Sequence, residues 1–262
     1  MKYKLHILLL ILIFITICLL LSVKLHSYYA PAKERPIYKT MQHHDDTIRI
    51  AYIGDSWAFG HRFHQCKIKS ILENELHSPV IVSSYGICGL TSKEIYHALF
   101  DLDSLRHFMA KGYDYCYITA GINDTYKKMS TSNYLQSMDC IIRFLLANHI
   151  HPIIQEIPDY NIQRSFDRQT TKHKIIRHIS MLINRTNIDC KQTFRCALNE
   201  LIEKKSYQNK ICIIRYKSWN NNYEEDLNNL YLDDQMHLNE SGYTALDSVI
   251  AKEILLIEQK HQ

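Results

Sequence analysis

The hydrophobic pattern of the chain changes period along its length. From Leu5 to Val23 it is nearly unbroken. A helix needs about 20 such residues to cross a bilayer. The run therefore predicts one N-terminal transmembrane helix within residues 1–24, with a cleaved signal as the alternative. No small-residue cleavage site follows closely, since the next residues are Lys24, Leu25 and His26. Lys2 and Lys4 precede the run and only Lys24 closely follows it. That bias puts the body outside the cytoplasm, periplasmic or extracellular. Residues 25–47, interrupted by Pro31 and Pro36, read as a solvated linker.

From Ile48 onward, short runs of apolar residues alternate with helical spacings. Ile48–Ile53, Pro79–Ser83, Tyr113–Thr119, Pro152–Ile157 and Ile211–Tyr216 read as strands. Between them, Ile68, Ile71, Leu72 and Leu76 share one helix face, as do Leu135, Met138, Ile141, Ile142 and Leu145. Further helices are expected from about Ser92, over Ser104–Lys111 and over Glu240–Glu258. Strands alternating with helices mean a parallel sheet covered on both faces. The expectation is an α/β domain over 48–262, a flavodoxin-like three-layer sandwich on five parallel strands. The connection over 158–210 is long for one crossover. It holds helical patterns at Lys172–Asn184 and Asp189–Glu203 and reads as an insertion or partial lid.

Composition narrows the function. The 262 residues suffice for one such domain, and the net charge of +4 includes Lys2 and Lys4. That is too little for a nucleic-acid surface. Eight cysteines occur with no C-x-x-C pair, so neither a zinc ribbon nor a redox motif is indicated. Cys190 and Cys196 can bridge in an oxidising compartment. His43, His44, Asp45 and Asp46 are metal-ligating types without a partner cluster, and His61 and His64 are metal-ligating types one turn apart. They read as a solvated stretch and a helix face, with no metal and no cofactor expected.

Candidate chemistry sits where the strands end. The first strand runs into Gly54-Asp55-Ser56, with a helical pattern behind it from His61. In an open α/β sheet, ligands bind at the carboxyl ends of the strands. A serine there needs a base and needs donors for the oxyanion it creates. Near the C-terminus stands Asp234-Gln235-Met236-His237. A carboxylate three residues before a histidine can hold one imidazole nitrogen and leave the other free as a base.

Four blocks in order resemble those of the SGNH hydrolases, the GDSL esterase/lipase family. They are Gly54-Asp55-Ser56, Gly89 in Cys88-Gly89-Leu90, Gly121-Ile122-Asn123-Asp124, and Asp234-Gln235-Met236-His237. The resemblance spans about Ile48 to Ile257. It implies a serine hydrolase with Ser56 as nucleophile, His237 as base and Asp234 orienting it. The implied oxyanion hole is the backbone N–H of Ser56, the backbone N–H of Gly89 and the side-chain amide of Asn123. No metal or other cofactor is implied.

Three positions depart from the family pattern: Trp57 stands for a leucine, Leu90 for an aspartate and Gln235 for a glycine. The expected substrate is an ester, by location and family an O-acetyl or other short-acyl group on envelope or extracellular carbohydrate. An SGNH-type O-acyltransferase, a lysophospholipase or a thioesterase is the alternative, with a non-catalytic carbohydrate-binding module as the outlying one. Asn123-Asp124-Thr125 and Asn239-Glu240-Ser241 are glycosylation acceptor patterns beside this site. The expectation is therefore a bacterial product without N-glycans.

Overall fold

The computed structural model describes residues 2–64 and 66–261. The chain divides into two compact units, Met1–Pro31 and Ala32–Gln262. The first holds one helix, α1 (Lys2–Tyr29). Among the described residues no helix is long and apolar enough to cross a membrane. The expected transmembrane helix is corrected on that finding, together with the membrane contact expected through it.

In the second unit the chain order is β1 (Ile48–Gly54), α2 (Ser56–His61), α3 (Lys67–Leu76), β2 (Val80–Gly86), α4 (Ser92–Asp101) and α5 (Asp103–Ala110). Then come β3 (Tyr115–Thr119), α6 (Ile122–Lys127), α7 (Thr131–Ala147), β4 (His151–Gln155), α8 (Ile162–Asp167) and α9 (Thr171–Asn184). The unit closes with α10 (Lys191–Lys204), β5 (Cys212–Ile214), α11 (Tyr223–Leu230) and α12 (Glu240–His261). All five strands are parallel in the order β2-β1-β3-β4-β5. The sheet reverses its order between β1 and β3, the place where open α/β sheets bind ligands.

Side chains of the central strands alternate between two cores, as the pleat requires. Ala51 and Ile53 of β1, with Cys116 and Ile118 of β3, pack under α4, α5, α7 and α10. Ile50 and Tyr52, with Tyr115 and Tyr117, pack under α2, α3 and α12. Three layers follow. The expected solvated linker is partly a strap instead. Thr40 donates its N–H to the Asn148 side chain at 3.0 Å, and Met41 donates to the Ala110 carbonyl at 3.0 Å. Tyr38 rests on Phe100 and Phe144.

Candidate active site

Each candidate side chain is delivered by the end of a strand or the start of a helix. Gly54 ends β1 at φ +150°, and a Cβ there would stand 2.1 Å from the Thr119 carbonyl oxygen. Only glycine allows β1 and β3 to run that close before the turn. Asp55 follows as the N-cap of α2, and its carboxylate accepts the Trp57 N–H at 3.0 Å. Ser56 is therefore the first residue of the helix itself, five positions ahead of the helical pattern that begins at His61. Its hydroxyl stands at the carboxyl edge of the sheet.

His237 reaches it from the segment before α12. Its Nε2 lies 2.9 Å from Ser56 Oγ, and its Nδ1 lies 2.5 Å from Asp234 Oδ2. Asp234 Oδ1 also accepts the N–H groups of Met236 at 3.0 Å and His237 at 2.9 Å. Burial raises the Asp234 pKa, but these bonds outweigh it and hold the carboxyl below its usual value. An ionised Asp234 fixes the proton of His237 on Nδ1 and leaves Nε2 free to accept from the serine. The segment is a turn and not a helix. Gln235 sits at its bend with φ +60°, the conformation that favours glycine. Its N–H donates to the Leu232 carbonyl at 2.8 Å, and three further bonds pin it there. Its carbonyl accepts from Asn161 N–H and from the Tyr223 hydroxyl, and its side chain accepts from the Asn161 amide.

Gly89 lies in the loop after β2, which is tied to the serine turn by a bond from Ile87 N–H to the Gly54 carbonyl at 3.0 Å. Gly89 has φ +81°, and a Cβ there would meet nothing within 4 Å. The backbone angle, not crowding, asks for glycine. Among the described residues no acceptor takes its N–H. Asn123 is in the first turn of α6, just past β3. Its amide donates to Asp55 Oδ2 at 3.4 Å, which leaves the second amide hydrogen uncommitted by that bond. Beside Gly89, Ile87, Leu90, Lys93, His97, Ala98 and Leu102 contribute to a pocket of about 360 Å³.

Two buried carboxylates hold these loops together, and neither had a role in the sequence reading. Asp55 joins Trp57, the Thr119 hydroxyl at 3.2 Å and Asn123. Asp124 accepts both the N–H of Ser92 at 2.8 Å and its hydroxyl at 2.7 Å, which ties α6 to the start of α4. Burial pushes each up to about 6 against the pull of those bonds. Their presence inside the short blocks that resemble the SGNH pattern is the signal the sequence offers.

The other candidates go elsewhere. His61 turns to Asp247 at 2.9 Å and stacks on Tyr52, while His64 pairs with Glu240 at 2.5 Å. His43 bonds the Lys111 carbonyl and Asp45 pairs with Arg49. All eight cysteines are free, with Cys190 buried and Cys196 exposed, so no Cys190–Cys196 bridge forms. Thr125 of the first glycosylation pattern is fully buried and bonded to the Ile122 carbonyl.

No family model matches the sequence, and no curated protein matches it. Solved structures do match the fold. A lipase/acylhydrolase from Enterococcus faecalis is 16% identical at a TM-score of 0.52, covering 79% of this chain and 95% of its own. A GDSL-like lipase from Bacteroides thetaiotaomicron is 16% identical at 0.50, covering 80% and 88%. An acetyl xylan esterase is 16% identical at 0.50, covering 78% and 99%. The chain has the fold of the GDSL/SGNH hydrolases, and the resemblance seen in its four blocks extends to its architecture.

Proposed function

We propose that this chain is a serine esterase acting through an acyl-serine intermediate. The observation that carries the reading is the hydrogen-bonded path from Asp234 through His237 to Ser56, aimed at the edge where Gly89 and Asn123 offer N–H groups. Ser56 Oγ attacks the ester carbonyl carbon while His237 Nε2 takes its proton. The carbonyl oxygen becomes an oxyanion received by the N–H groups of Ser56 and Gly89 and the Asn123 amide. The tetrahedral adduct collapses, the C–O bond to the alcohol breaks, and His237 returns the proton to the departing oxygen. Water, deprotonated by His237, then attacks the acyl-serine, the acyl–Oγ bond breaks to release the acid, and His237 returns the proton to Ser56 Oγ. Asp234 keeps the ring in the tautomer both steps need.

For the substrate, we take an O-acetyl or other short-acyl ester of an envelope or extracellular carbohydrate. Its support is the acetyl xylan esterase among the structures of this fold. The test is a series of p-nitrophenyl esters of rising chain length together with acetylated sugars, with Ser56→Ala as the blank. Turnover of acetyl esters and decline with chain length is the expected result. Equal rates in the blank would refute the esterase reading, and preference for long chains would refute the short-acyl one.

A further inference from the structure

Helix α9 is turned inside out. A surface helix ordinarily buries its apolar stripe and shows its polar one. In α9 the buried side chains are Arg177 and Ser180. Arg177 lies over the Tyr126 ring at 3.2 Å, and the Asn184 amide donates to the Lys128 carbonyl at 2.8 Å. Outward stand Ile175, Ile176, Ile179, Leu182 and Ile183, between 45 and 81% exposed. At 100° per residue these five fall within an arc of roughly 120°. A continuous row of this kind marks a face that something covers.

The helix itself carries cations and no acid: Thr171–Asn184 contains Lys172, Lys174 and the buried Arg177, with Arg168 and Arg185 just beyond its ends and Asp167 and Asp189 flanking the segment. Arg168, Lys172 and Arg185 are exposed. A second copy would set cation against cation around the aliphatic row, which opposes self-association. An anionic lipid surface offers the matching order, phosphates at the level of the rim and hydrocarbon beneath it. Aliphatic side chains on one face with Lys and Arg beside them are the composition of helices that lie in the interface plane.

We propose that α9 is an interfacial helix that seats this domain on an anionic lipid bilayer. Ile175, Ile179, Leu182 and their neighbours enter the boundary between headgroups and acyl chains, and Arg168, Lys172 and Arg185 meet lipid phosphates. On its other side α9 leans on Tyr126 and Lys128, at the far end of the short helix that carries Asn123. The proposal stands apart from the esterase reading, since binding needs no turnover.

The test places a reporter on the face. Leu182→Trp in the full chain is read against the parent, whose two tryptophans, Trp57 and Trp219, are buried. Vesicles of equal phosphatidylglycerol and phosphatidylcholine are expected to shift the added emission to the blue and to quench it when the acyl chains are brominated. Phosphatidylcholine alone or 1 M salt, where the screening length falls to about 3 Å, is expected to weaken both effects. Adding Ile175→Asp and Ile179→Asp is expected to abolish them with circular dichroism unchanged, since both side chains are exposed. An emission indifferent to anionic vesicles would overturn the proposal. So would a shift that follows protein concentration without lipid, which would assign the face to a second copy.

Discussion

Asp55 accepts the side-chain amide of Asn123 at 3.4 Å, joining the acid of the first sequence block to the asparagine of the third. The contact fixes which way the amide points, because a carboxylate can only accept and so must face the nitrogen. The proposed oxyanion donor is thus held before substrate arrives. Asn123→Ala is expected to lower kcat on the order of 10²–10³ with little change in KM. Steady-state kinetics on an acetyl ester checks this. Equal losses in both Asn123→Ala and Asn123→Asp would fit the loss of an N–H donor, whereas full activity in either would not.

Asp55 also makes stability depend on pH. Burial pushes it up to about 6, and the bonds from Trp57 and Thr119 pull the other way. The folded state therefore holds this proton more tightly than the unfolded chain, whose value is 3.8. Its contribution to stability declines as pH rises from about 4 to about 6 and is level above that. Asp124, also raised to about 6 by burial, works in the same sense. Denaturant midpoints measured between pH 4 and 7 should fall less steeply in Asp55→Asn than in the parent. Parallel curves would contradict the assignment.

Asp234 acts at the other end of the path. Its carboxylate bonds to His237 Nδ1 and also to the backbone N–H groups of Met236 and His237. Asp234→Asn can still serve the backbone but presents the imidazole with an ambiguous partner. By analogy with other serine triads, kcat should fall by about 10³–10⁴. Thermal stability should change far less than activity. A variant that keeps a tenth of the parent rate would remove Asp234 from the proposed mechanism.

Two glycines separate folding from catalysis. A Cβ at Gly54 would press against the Thr119 carbonyl at 2.1 Å, between adjacent strands. Gly54→Ala should therefore yield little folded protein. At Gly89 the same atom meets nothing within 4 Å, and only the φ of +81° resists it. Gly89→Ala should fold at a cost of about 1 kcal/mol and lose activity, because the backbone relaxes away from the angle that aims its N–H. Circular dichroism and kinetics on the pair decide the matter.

His61 and Asp247 form an almost fully buried pair behind the nucleophile helix. Burial lowers the imidazole pKa, but the bonds to Asp247 and Cys66 lift it to about 9. The folded value lies above the ordinary 6.5. The stabilisation is fully present below about pH 6.5 and is lost as pH rises through 9. His61→Leu should cost about 3–5 kcal/mol at pH 6, because it leaves the buried Asp247 carboxylate with the Lys67 N–H but no charged partner. Urea titrations should show that gap narrowing towards pH 9.

Much of this architecture was legible in the chain. Strands β1, β3 and β4 fall within one or two residues of the apolar runs that predict them, because glycine or proline bounds most of those runs, and β2 runs three residues past its expected end at Ser83. Strand β5 is shorter than expected, Cys212–Ile214, since it pairs with β4 alone and the chain turns into a short 3-10 helix at Tyr216. Helices α6, α8 and α11 are only six to eight residues long, too brief to show a period. The convergence of Ser56 and His237, 181 positions apart, could be expected from block order but not its geometry. The bracing by Asp55 and Asp124 was out of reach, because it runs sideways between loops distant in sequence. In α9 the periodicity was plain. Which face meets the body is settled by the partners of Arg177 and Asn184, and no pattern within one helix contains those.

The account rests on Ser56 being an activated nucleophile, and covalent labelling tests that most directly. Folded protein treated with a fluorophosphonate is expected to gain one adduct by intact mass, mapped to Ser56 by peptide sequencing. Ser56→Ala and unfolded protein should gain none. Folded protein left unmodified, or modified at another serine with Ser56 untouched, would contradict the account.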